Sequence, residues 1–146
     1  MNAAHPFGHI KPQSVEAVKG FTAEQLKSAA ATLGHHFVHI DLSALAALSA
    51  RAASGAHRSA LKQEVLEAIG RALSFPAHYG ANLDALYDCL TDLPDAERGL
   101  VVLLDRIPTG AGFDADSRES LLETFRDAAD FYVEAGTPFR VFYSFA

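Results

Sequence analysis

The chain has 146 residues, of which 49% are hydrophobic, and this is enough material for one globular domain with a single core. Its formal charge of −6 is uneven: residues 1–36 hold three bases and two acids, whereas residues 37–146 hold nine bases and sixteen acids. The acidic excess argues against direct nucleic-acid binding, which needs clustered Lys and Arg, and the single cysteine excludes an internal disulfide and indicates a reducing compartment.

The first residues predict a loose leader. Residues 1–21 are interrupted by Pro and Gly, which break regular structure. They contain no apolar stretch flanked by basic residues, so they do not resemble a signal peptide. Nowhere in the chain does an uncharged apolar run reach the length that spans a bilayer. We therefore expect a soluble cytoplasmic protein that has no membrane partner.

A helix follows the leader. Thr22 and Gln25 form a capping-box pattern, in which each side chain accepts a hydrogen bond from the backbone of the other residue. Gly34 is suited to end this helix. On this basis we divide the chain into an N-terminal leader plus helix, residues 1–36, and a main domain, residues 37–146.

Strand-like and helix-like patterns alternate in the main domain. Short aliphatic or aromatic runs indicate strands, and apolar residues at helical spacing indicate helices. This alternation predicts an α/β fold in which a small three-stranded parallel sheet is flanked by helices, with an N-terminal helical extension. The predicted strands cover residues 37–40, 100–104 and 139–145, and the predicted helices cover residues 59–73, a segment beginning after Asn82, and residues 117–135.

The most distinctive segment is residues 75–91, which read FPAHYGANLDALYDCLT. A loop containing Pro and Gly leads to Asn82, a suitable N-cap, and then to a short amphipathic helix. Apolar residues at helical spacing predict which side of this helix is buried. The predicted buried stripe consists of Leu83, Leu86, Cys89, Leu90 and Leu93.

The polar side of the same helix carries only negative charge, since no Lys or Arg occurs between Arg71 and Arg98. Like charges four residues apart destabilise a helix by about 0.2–0.5 kcal/mol per pair. The pattern therefore opposes folding, and it favours a positively charged partner. The acids that share this face, if the helix is long enough, are Asp84, Asp88, Asp92 and Asp95.

The residues alone leave two interpretations of this acidic helix open. A solvated helix face is the ordinary explanation of a charge run. An interaction surface is favoured by the missing Lys and Arg, which soluble faces normally intersperse with acids. It is also favoured by Tyr79 and Tyr87, because tyrosine is frequent at protein interfaces.

Other residues give weaker signals. His36 and His39 lie in a segment that enters a predicted strand, where a spacing of three directs them to opposite faces, and no further ligands follow at a zinc spacing. Cys89 lies on the predicted buried stripe, where a thiol is unreactive. Residues 110–117 predict a connector in which Asp116 or Ser117 caps the next helix. In the absence of a catalytic motif we expect no metal, no cofactor and no enzymatic activity.

The segment FPAHYGANLDALYDCLTD resembles the loop and second helix of the barstar family of intracellular ribonuclease inhibitors. A Pro, then Tyr-Gly-x-Asn-Leu-Asp-Ala-Leu, an aromatic residue and Asp-Cys-Leu form a long and specific motif. The similarity continues more weakly through LVVLL, LLETFRDA and FRVFYSF, so that it extends from about Phe37 to the C-terminus. The family fold, a three-stranded parallel sheet flanked by helices, agrees with the pattern of elements above.

The resemblance implies an immunity protein that blocks the active site of a basic ribonuclease with an acidic helix and its preceding loop. By position, Asp88 corresponds to the acid that enters the phosphate-binding pocket, Asp84 to a second contact, and Asp127 to an acid of the last helix. Carboxylates would then replace substrate phosphates opposite basic side chains. The residues implied in partner binding are His78, Tyr79, Gly80, Asn82, Asp84, Tyr87, Asp88 and Asp127.

Three of these positions depart from the family pattern. Tyr87 replaces a tryptophan, His78 replaces a tyrosine, and Asp127 replaces a longer glutamate. Because such changes alter shape and reach, we expect a nuclease other than barnase, or one with adjusted contacts. The alternative is a protein-interaction or regulatory module that keeps the fold but has no nuclease partner. The sequence makes no prediction about the oligomeric state.

Overall fold

The computed structural model of the protein describes residues 7, 10–49, 55–110 and 112–146. Four strands and five α-helices are found in these ranges, together with a short 3₁₀ helix at Pro94–Arg98. None of the helices described there is long and apolar enough to cross a membrane. The elements are β1 (Gln13–Ala17), α1 (Ala23–Leu33), β2 (His36–Asp41), α2 (Ser43–Ser49), α3 (Gly55–Ala72), α4 (Leu83–Leu90), β3 (Leu100–Ile107), α5 (Ala115–Ala135) and β4 (Phe139–Phe145).

The four strands form one parallel sheet in the order β1-β4-β3-β2. The prediction of a parallel α/β sheet is thus confirmed, but the prediction of three strands is wrong. The additional strand, β1, lies in the segment expected to be a loose leader, and it pairs with β4 from Gln13 opposite Phe139. Its partner lies at the far end of the chain, so no local pattern identifies it. The domain division after residue 36 stays a prediction.

The run of aliphatic residues in β3 is buried on both faces of the sheet, as its composition predicts. On one face, Val101 and Leu103 pack with residues of α1 and with Phe142. On the other face, Val102 and Leu104 join the larger core beneath α3, α4 and α5. The acidic helix α4 therefore lies on the same side of the sheet as α5.

Capping residues set most of the helix ends. Thr22 and Gln25 make both hydrogen bonds of the capping box, and Gly34 ends α1 in the left-handed conformation at φ 75°. The cap of α5 is Asp114, whose Oδ1 accepts the Ser117 backbone N–H at 2.9 Å. The expectation that Asp116 or Ser117 caps this helix is therefore wrong, because the helix begins two residues earlier. α2 forms in the Ala-rich segment, for which the sequence predicts no element.

Helix α4 is held to the core by its apolar side. Leu86 and Leu90 are completely buried, as predicted. Tyr132 of α5 donates a buried hydrogen bond from its hydroxyl to the carbonyl oxygen of Leu90 at 2.6 Å, so that α4 and α5 are tied side by side. Leu83 departs from the prediction, because 38% of it is exposed at the first residue of the helix. Cys89 and Leu93, the other members of the predicted stripe, are only partly buried.

Candidate partner-binding site

The start of α4 is fixed by Asn82. Its side-chain Oδ1 accepts the Ala85 backbone N–H at 2.8 Å, as expected of an N-cap. The preceding residue, Ala81, is buried and has a positive φ of 50°. A non-glycine residue in this conformation is held there by its surroundings. The backbone conformation at the point where the loop joins α4 is therefore well defined.

Tyr79 fastens the loop to α3. Its hydroxyl donates to the carbonyl oxygen of Leu66 at 3.1 Å, and its ring meets that of Phe75 edge to face, with ring centroids 4.8 Å apart. Gly70 permits this approach, since a Cβ there would lie 2.7 Å from a ring carbon of Tyr79. Burial raises the pKa of Tyr79 to about 12, so the hydroxyl remains a donor at neutral pH. His78 and Gly80, on either side of it, are exposed.

A groove of about 840 Å³ runs between α4 and α5. Four of the predicted site residues line it together: Asp84, Tyr87 and Asp88 from α4, and Asp127 from α5. His78, Tyr79, Gly80 and Asn82 are not among its lining residues; they belong to the loop and the cap that precede α4. We call this feature the acidic groove. Its other lining residues are Leu83, Thr124, Asp130, Phe131 and Glu134.

Five carboxylates line the acidic groove, and no Lys or Arg does. Within the described part of the chain, none of the five forms a salt bridge or accepts a side-chain hydrogen bond on its carboxylate. Arg126, the residue before Asp127, is instead held by Glu119 at 2.7 Å and by Glu123 at 3.3 Å. A cleft lined by one sign of charge concentrates its field and attracts the opposite charge.

The acidic groove extends further along α5 than the sequence prediction reached. Asp127, Asp130 and Glu134 recur at intervals of three and four residues, which places them on one side of the helix. The same spacing test that identified Asp84 and Asp88 would have found them. Phe131, which is 41% exposed, lies among them and adds an apolar surface.

The predicted acidic face of α4 is shorter than expected. The helix ends at Leu90, and the hydroxyl of Thr91 donates to the carbonyl oxygen of Tyr87 at 3.0 Å. Asp92 therefore lies beyond the helix, and the side chain of Asp95 lies outside the described part of the structure. Asp84 and Asp88, one turn apart, are the members of the predicted face that reach the groove.

Two observations concern the thiol and the candidate metal ligands of the chain. Burial raises the pKa of the Cys89 thiol, and the charges of Asp88 and Asp92 raise it further. The thiol therefore stays protonated and weakly nucleophilic. Within the described ranges, no three His, Cys, Asp or Glu side chains are grouped so that they could hold a metal ion. His39 pairs with Asp105 at 2.9 Å on another part of the sheet.

Comparison with known families supplies an independent observation. A family model described as Barstar (barnase inhibitor) matches residues 53–144, which is more than half of the chain. The matched region contains α3, the loop, α4 and α5, and therefore every residue that lines the acidic groove. No curated protein matches the chain.

Proposed function

The chain belongs to the barstar family, and on this premise we propose that it is an intracellular ribonuclease inhibitor, an immunity protein of the cytoplasm. In this proposal it blocks the active site of a basic nuclease with α4 and the loop before it. It acts by binding alone, needs no cofactor and catalyses no reaction. Its partner is the nuclease protein rather than a nucleic acid.

The observation that carries the proposal is the acidic groove. A ribonuclease active site binds phosphates, so it presents Arg, Lys and His side chains to an anionic substrate. Five carboxylates without a counter-charge complement such a surface. An arginine binds a carboxylate through two parallel hydrogen bonds, and Asp88 and Asp127 offer acceptors from opposite walls of the groove.

The loop before α4 supports the same proposal by its rigidity. Tyr79 holds it to α3, and Asn82 fixes its junction with α4. A segment that is already ordered loses less conformational entropy on binding. His78, exposed beside the anchored Tyr79, is then placed to contact the partner with little rearrangement.

The test is inhibition of RNA cleavage by a panel of small basic microbial ribonucleases, with barnase included. We expect at least one of them to be inhibited stoichiometrically, and we expect that enzyme to differ from barnase. Asp88→Ala should then weaken binding by about 2 kcal/mol or more, roughly 30-fold, as interface hot spots do. The matched control is Glu24→Ala, which removes the same charge from an exposed position on α1, a helix on the opposite face of the sheet.

Two results would contradict the proposal. One is equal loss of affinity for Asp88→Ala and Glu24→Ala, which would mean that only net charge matters. The other is the absence of inhibition across the panel, together with capture of a partner from cell extract that is not a nuclease. The second result would support the alternative of an interaction module with a changed target.

A further inference from the structure

A second cavity adjoins the acidic groove. It has a volume of about 380 Å³ and lies between α3, the first residue of α4 and the N-terminal part of α5. Four apolar side chains, Leu66, Leu83, Phe113 and Leu121, contribute to its wall, and Phe113 and Leu121 are themselves buried. We call it the side pocket. Its other lining residues are Lys62, Asp114, Asp116, Ser117 and Ser120.

The side pocket and the acidic groove share Leu83. This leucine is 38% exposed, whereas Leu86 and Leu90, one and two turns further on, are completely buried. A protein that binds in the groove and covers Leu83 therefore also contacts a residue that lines the pocket. The two cavities thus form one continuous surface.

The charges around the side pocket differ from those of the groove. Lys62 lies across from Asp114 and Asp116, so both signs are present. Asp114 is already engaged, because its carboxylate accepts the backbone N–H of Ser117 at 2.9 Å. Because both signs of charge are present, these residues do not favour a charged occupant. The apolar wall favours an uncharged, apolar one.

We propose that the side pocket receives one apolar side chain of the nuclease that occupies the acidic groove. This inference rests on the proposed function and adds a feature of the partner: an aliphatic or aromatic residue exposed next to its basic active site. The pocket, at about 380 Å³, has room for any single aliphatic or aromatic side chain. An apolar anchor beside desolvated charge pairs is the usual composition of an interface hot-spot region.

The test is a substitution that fills the side pocket. Ser120→Leu places a larger apolar side chain at an exposed lining position of α5. We expect it to weaken binding to the inhibited nuclease by roughly tenfold or more, as loss of an apolar contact in a fitted pocket does. The matched control is Ser28→Leu, the same exchange at an exposed position of α1, which should bind like the unsubstituted protein. Thermal melting of each variant checks that it is folded.

A second measurement does not depend on that variant. Intermolecular nuclear Overhauser effects from the methyl groups of Leu66 or Leu121 to the bound nuclease are expected in the complex. Unchanged affinity for Ser120→Leu, with Asp88→Ala still weakened, would overturn this inference and leave the proposed function standing. A complex in which neither leucine shows a methyl contact to the nuclease would do the same. Failure of the whole nuclease panel would overturn both.

Discussion

Replacing Asp88 by Asn should stabilise the free protein while it weakens the complex. Asp88 lies in the last turn of α4, where no basic residue is present and where the helix dipole is negative. Asp84 lies four residues earlier on the same side, and both line the acidic groove. The carboxylate of Asp88 is therefore placed unfavourably for folding, and favourably only for a positively charged partner.

The size of the effect follows from these two contacts. A negative charge near a helix C-terminus costs about 0.3–1 kcal/mol, and a like-charge pair at a spacing of four costs about 0.2–0.5 kcal/mol. Asn keeps the shape of the side chain and has a similar helix propensity. We therefore expect a gain of roughly 0.5–1.5 kcal/mol in the free energy of unfolding, which for a chain of this size raises Tm by roughly 2–5 °C.

The assay is urea and thermal denaturation at low ionic strength and again in 1 M salt. The gain should shrink in high salt, where the Debye length is only about 3 Å. Asp84→Asn is the matched control, because Asp84 lies in the first turn of α4, where the dipole favours its charge. That variant relieves the same repulsion but loses the favourable dipole contact, so its stability should change little.

Three results would refute this reasoning. Asp88→Asn could lower stability, the two variants could gain equally, or the gain of Asp88→Asn could be independent of salt. Any of them would mean that the carboxylates of the groove do not interact as their positions on α4 imply. An unchanged affinity for the nuclease would in addition remove Asp88 from the proposed interface.

Two further substitutions and a fall in pH should each lower stability. Tyr132→Phe leaves the buried carbonyl oxygen of Leu90 without its donor, at a cost of about 1–3 kcal/mol in unfolding free energy measured by urea titration. Asn82→Ala removes the cap of α4 and should cost about 1 kcal/mol in the same assay. Burial, and secondly the charge of Arg140, lowers the pKa of His35 below 6.5. The neutral imidazole therefore contributes stability that is complete above pH 6.5 and is lost as the pH falls through the lowered pKa.

Each of these has a contrary outcome. A change below about 0.5 kcal/mol for Tyr132→Phe would show that the Leu90 carbonyl is satisfied in another way. If Asn82→Ala left helix content and stability unchanged, the Asn82 cap would not stabilise α4. For His35 the comparison is with His35→Gln, whose amide oxygen can still accept from Arg140; equal losses of stability between pH 7 and pH 5 would assign the pH dependence to other groups.

Local signals predict much of this fold. The capping box at Thr22, the cap at Asn82 and the glycine that ends α1 each act within a few residues, and the structure places them as expected. The strand at residues 139–145 has the bounds that the sequence predicts for the same reason: a short aromatic and aliphatic run has an unambiguous pattern.

Two of the failures have their cause in long-range contacts. Nothing in the sequence QSVEA of β1 shows that β4 will pair with it. Leu83 fits an apolar stripe, yet its exposure depends on the cavities that α3 and α5 form around the start of α4. Only the family resemblance predicted that Asp127 and Asp88 would belong to one site. Local patterns could not, because the two residues lie on helices that are separated by a whole strand.

The position of β4 between β1 and β3 favours one order of assembly. β1 has no other neighbour in the sheet that the described residues form, and the side-chain amide of Gln13 reaches the carbonyl oxygen of Thr137 over a sequence separation of 124 residues. Closing so long a loop is entropically costly, and parallel pairing of distant segments is slow. We therefore expect β1 to pair only after β4 has docked on β3, so that β1 is the last strand of the sheet to form and the first to detach.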